Sequence, residues 1–111
     1  MKPLFLVLKK YWYGQIALGE KSVEYRQYNS FWRNRLDGKE FENVVFQLGY
    51  SKNAPQMKFA IDHIDIGDCP FSKGKYFRIH FDSSSMKHII PLTIPLQTAF
   101  PSINIEKIDE K

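Results

Sequence analysis

Two stretches of strict alternation constrain this chain more than anything else in it. In "QMKFAIDHIDIG", residues 56 to 67, Met57, Phe59 and Ile61 fall on one side. In "KYFRIHFD", residues 75 to 82, Phe77, Ile79 and Phe81 fall on one side, with Arg78, His80 and Asp82 on the other. Side chains alternate across a strand, so a period of two marks a strand with one buried face. "ENVVFQLGY", residues 42 to 50, has the β-branched and aromatic content of another strand and stops at Gly49. "LFLVL", residues 4 to 8, is a short apolar run that suits a buried strand. Beyond "SSS", the segment "MKHIIPLTIPLQTAFPS" carries prolines at 91, 95 and 101, which demote it to an edge strand or an extended wrap.

Helical spacing is confined to the first third. In "KKYWYGQIAL", residues 9 to 18, Trp12 and Ile16 are four apart, as are Tyr13 and Ala17. Gly19 is placed to end that helix in a left-handed conformation. Asn29 or Ser30 can cap a second, short helix over "FWRNRL" before the Asp37-Gly38 turn. One or two helices followed by five or six strands give an α+β fold. Closure into a small barrel would hide the strand edges. The 111 residues suffice for one domain with one core, spanning 1–111.

The charge is uneven. Residues 1 to 58 hold ten Lys and Arg against five Asp and Glu, and residues 59 to 111 hold six against seven. The positive excess therefore sits in the first half, where it either steers anionic partners or forms a solvated surface. A lone cysteine, Cys69, excludes an internal disulfide framework and a cysteine-built zinc site. The five-residue apolar run near the start is too short for a signal sequence or a membrane span, so a cytoplasmic setting and no membrane partner are expected. His63, His80 and His88 stand singly on strands without metal-ligand spacing, and no metal or cofactor is expected. Phosphate loops, paired-His zinc helices and Gly-x-Ser-x-Gly elbows are all missing.

The chemistry concentrates in "LGEKSVEYRQ", residues 18 to 27. As a strand, it points Val23 and Tyr25 one way and Ser22, Glu24 and Arg26 the other. That second face is either wet or the wall of a polar pocket. A carboxylate accepts from amino or hydroxyl groups, while Lys21 and Arg26 donate to carbonyl or phosphate oxygens. Nearby, Phe31 and Trp32 stand together with Arg33 and Arg35, and Tyr50 precedes Lys52 and Asn53. Aromatic faces among cations suit bases and phosphates.

Taken in order, "LKKYWYGQIALGEKSVEYR", "FWRNRL", "VVFQLGYSKNAP" and "YFRIHF" resemble the ASCH domain family of the PUA-like superfamily. The family signature, a helix followed by Gly-x-Lys-x-x-Glu-x-Arg, is matched by Gly19, Lys21, Glu24 and Arg26. The resemblance covers roughly residues 4 to 82 and leaves 83–111 as a C-terminal extension. It implies a small PUA-like β-barrel with helices packed against it and a cleft lined by the signature strand. It also implies an RNA-associated role, in small stand-alone bacterial or phage proteins.

Three functions follow as expectations. The first is a module that binds RNA or a nucleoside through Lys21, Ser22, Glu24, Arg26, Trp32, Tyr50, Lys52 and Asn53, with Arg33 and Arg35 on the nucleic-acid backbone. The second is an enzyme using Lys21 and Glu24, such as an amidohydrolase acting on acetylated cytidine, or a hydrolase acting on RNA. Of the catalytic Lys, Thr and Glu of the one enzymatic branch that removes the acetyl group from acetylated cytidine, only Lys21 carries over: Glu24 stands where the Thr falls, and the distal Glu has no counterpart. An ion pair is also expected to hold Lys21 protonated and poor as a base. The third is an adaptor for a protein partner.

Overall fold

The computed structural model describes residues 2–92. The elements run β1 (Leu4–Leu8), α1 (Lys10–Ala17), β2 (Val23–Gln27), α2 (Ser30–Leu36), β3 (Asn43–Leu48), β4 (Gln56–Cys69) and β5 (Ser72–Phe81). A 3-10 turn over Ser83–Ser85 then leads into β6 (Lys87–Ile90). The fold is α+β, as expected. The prolines at 95 and 101 and the end of the C-terminal extension lie outside the described residues.

Strands pair in the order β1-β3-β4-β5-β2, with β6 added along β4. The β1–β3 ladder is parallel and the others are antiparallel. The sheet is not closed into a barrel: among the described residues no ladder joins β1 to β2. Closure was expected because it hides edges. Instead the two edge strands face a seam, and a side chain crosses it.

β4 is the hinge of the sheet. Its first part lies between β3 and β6, and its second part pairs with β5. A bulge falls between the two: Ile61 pairs with Phe81, and His63, not Asp62, pairs with His80. One extra residue reverses which parity faces inward. Met57 and Phe59 are buried before it, Asp62 and His63 are both exposed, and Ile64 packs on the core after it. The alternation read across residues 56 to 67 thus breaks once, where the strand bends.

Core aromatics hold the two parts together. Phe46, Phe59 and Phe81 form a triangle with ring centroids 4.9 to 5.8 Å apart, joining β3, β4 and β5. From α1, Trp12, Tyr13, Ile16 and Ala17 are buried, as the four-residue spacing predicts. Gly19 ends this helix at φ +81°, donating its N–H to the Ile16 carbonyl while Glu20 donates to Gln15. That pair of bonds is the left-handed glycine stop, and it turns the chain straight into the signature strand. In α2, the Asn29 side chain accepts from the Trp32 N–H at 3.0 Å, so the cap fixes the residue that carries the second indole.

Candidate functional site

The seam between β1 and β2 holds a cleft of about 560 Å³. It is lined by Val7, Leu8 and Lys9 at the end of β1, Trp12 on α1, Glu24 to Gln27 on β2 and Trp32 on α2. Gly49, Tyr50 and Tyr76 complete it. Small-ligand sites commonly occupy ~300–1,000 Å³ with apolar walls and a few convergent polar groups. Gly49, at φ +71°, lets the chain leave β3 sharply and carries Tyr50 to the rim, where the ring is 88% exposed.

Glu24 lies at the cleft floor with a side chain 2% exposed, and two cations hold its carboxylate. Lys21 Nζ donates to Oε1 at 2.8 Å. Arg26 donates through Nε to Oε2 at 3.1 Å, with a second guanidinium nitrogen 2.9 Å from the same oxygen. That nitrogen also donates to the Val7 carbonyl at 3.2 Å, crossing the seam to the unpaired edge of β1. Each cation rests on an indole. Lys21 Nζ is 3.8 Å from the Trp12 ring centroid and the Arg26 guanidinium 5.1 Å from that of Trp32. Tyr25 and Phe71 close the box around Lys21 at 5.6 and 6.0 Å.

Burial has two electrostatic consequences. It lowers the pKa of Lys21, and the attraction and hydrogen bond of Glu24 only partly offset this. Lys21 nonetheless donates to Glu24 at 2.8 Å, the bond of a charged lysine to a carboxylate. Burial also raises the Tyr25 phenol, which stays neutral and able to donate.

The residues singled out from sequence divide in two. Glu24, Arg26, Trp32 and Tyr50 meet in the cleft. Lys21 stands behind Glu24, outside the lining, and positions the carboxylate. Ser22 is exposed, and its carbonyl accepts from the Phe81 N–H. Lys52 and Asn53 are exposed in the β3–β4 loop outside the lining, and Asn53 adopts φ +60°, a backbone conformation asparagine tolerates well. Arg33 pairs with Asp37 at 3.3 Å, and the Arg35 guanidinium lies 3.6 Å from the Phe31 centroid. Both arginines are exposed on α2, away from the cleft wall. Sequence reasoning missed Tyr76 and Phe71 as site residues. Tyr76 arrives through the Gln27–Tyr76 pairing, which no local pattern announces.

Among the described residues no helix is long and apolar enough to cross a membrane. No family model matches the chain, and no curated protein or solved structure matches it either.

Proposed function

We propose that this chain is a binding module of the ASCH type that takes a nucleobase, a nucleoside or a short run of RNA in the β1–β2 cleft. The observation that carries the reading is the Glu24 carboxylate, 2% exposed at the foot of an aromatic cleft and held by Lys21 and Arg26. A buried ion cluster is a poor way to gain stability, because apolar residues of similar volume often do as well or better. Clusters of this kind therefore concentrate at functional sites. A planar ligand would stack on Trp32 or Tyr50 and meet Glu24 and Arg26 with its polar edge. Lys21 would keep the carboxylate oriented. In the PUA-like barrel that the resemblance implies, the seam crossed by Arg26 is where closure would occur.

Thermal stability with a panel of nucleosides, including acetylated cytidine, and a short single-stranded RNA tests this, since a ligand stabilises the state it binds. At least one ligand is expected to raise the melting temperature, with Trp32→Ala and Tyr50→Ala each weakening its binding by roughly tenfold or more. Binding unchanged by both substitutions, or no binding at all, overturns the reading. RNA binding would fall steeply with salt, whereas binding of an uncharged nucleoside would not.

The lowered Lys21 pKa favours one second reading, an amidohydrolase or other hydrolase acting on a modified nucleoside or on RNA. Here Glu24, on the cleft floor, would meet the substrate and Lys21 behind it would relay the proton. Product formation in the same mixtures, abolished in a folded Lys21→Met variant, distinguishes it from simple binding.

A further inference from the structure

The β4 bulge assembles a second polar cluster on the ladder between β4 and β5. His63 lies directly opposite His80, and Asp65 opposite Arg78. The two imidazoles stack with centroids 4.1 Å apart and planes 10° from parallel. Both Nε2 atoms face the Asp65 carboxylate, His80 at 3.2 Å from Oδ1 and His63 at 3.8 Å from Oδ2. One donor atom from each of the three residues falls within 4.8 Å of the others. His63 Nδ1 lies 3.1 Å from Oδ2 of Asp62, the extra residue of the bulge.

We propose that His63, His80 and Asp65 form a binding site for a divalent transition-metal ion that accepts imidazole ligands, such as zinc. The spacing fits: bonds of ~2.0–2.2 Å in a tetrahedron set ligand atoms about 3.4 Å apart. His80 Nε2 lies 3.2 Å from Oδ1 and His63 Nε2 3.8 Å from Oδ2, close to that value. Binding requires the two stacked rings to tilt out of parallel so that both in-plane lone pairs meet one ion. Asp62 supplies the support such sites use, a carboxylate accepting the far ring N–H of a ligating histidine, which leaves Nε2 as the donor. Three protein ligands leave a fourth position for water or a small ligand. The site opens to solvent through exposed His63, so an ion needs no entry path.

Arg78 is the opposing feature. It donates to both Asp65 oxygens, at 2.8 and 2.9 Å. A carboxylate offers about four lone-pair sites, so the arginine and an ion can share it, but their mutual repulsion weakens the ion's hold. This supplies a signature that nonspecific ion binding lacks: Arg78→Gln should tighten the metal.

The test is calorimetric titration of zinc into the tag-free, chelator-stripped full chain, with magnesium as the oxygen-preferring control. One zinc ion per chain is expected, with no comparable magnesium binding. His63→Ala and His80→Ala should each weaken it about tenfold or more, and Asp62→Asn within a ~10–100-fold range. Circular dichroism checks that these largely surface-exposed variants stay folded. Absence of saturable zinc binding overturns the proposal. So does binding that survives His63→Ala/His80→Ala, which would assign the ion to His88 or another surface group.

Discussion

Arg26 on β2 donates to the carbonyl of Val7 on β1, joining two edge strands that no ladder connects. The same guanidinium pairs with buried Glu24 and lies over Trp32. One side chain therefore spans the seam, neutralises its floor and lies against one of its aromatic walls. Arg26→Met keeps much of the stem packing and removes every donor. It should cost about 1.5–3 kcal/mol in urea unfolding, the range for hydrogen bonds to charged groups.

Glu24→Ala should be more damaging. It leaves Lys21, 9% exposed, and Arg26, 19% exposed, without their shared anion. Removing one partner of a buried ion cluster typically costs about 3–5 kcal/mol. Pairing Glu24→Leu with Lys21→Met should recover much of that loss, because the buried charge then goes with its partner. Equilibrium unfolding of the single and double variants separates the two contributions.

Lys21 gives the chain a pH signature. Its folded pKa lies below the ordinary 10.5, with burial as the main cause. Between the lowered value and 10.5 the unfolded chain binds more protons, so the folded state gains stability as pH rises through that window. Below the window the charged lysine carries its full desolvation penalty. Urea midpoints should therefore climb on the alkaline approach to pH 10.5 for wild type relative to Lys21→Met. A flat difference between the two contradicts this.

Asn29→Ala removes the acceptor for the Trp32 N–H at the start of α2. A cap of this kind is worth about 1 kcal/mol. Because α2 has only seven residues and carries Trp32 into the cleft, ligand affinity should fall together with stability. An unfolding curve and a binding curve on one preparation check both.

Much of the fold was legible because it rests on local rules. The apolar run at Leu4–Leu8, the four-residue spacing in α1, Gly19 as its stop and Asn29 as a cap each follow from neighbours in sequence. What escaped was non-local. Val7 and Arg26 are 19 residues apart, and nothing in either segment says that their strands stay unpaired. The bulge had a trace, two adjacent polar residues between Ile61 and Ile64, but an even alternation read over it. That single residue decides whether His63 faces His80. Within the signature strand the alternation predicted Glu24 and Arg26 on the cleft wall. It also placed Ser22 there, although Ser22 is exposed and lies one residue before the strand begins.

The chain's two tryptophans, Trp12 and Trp32, both line the cleft, so tryptophan emission reports on it directly. Titrating the nucleoside panel and a short single-stranded RNA while following that emission is the most direct measurement. A ligand stacked in the cleft should change it saturably for at least one compound, and Trp32→Phe should remove most of that change. Emission unaltered by every compound, at concentrations where the same panel binds a known nucleoside-binding protein, contradicts the cleft as a nucleobase site.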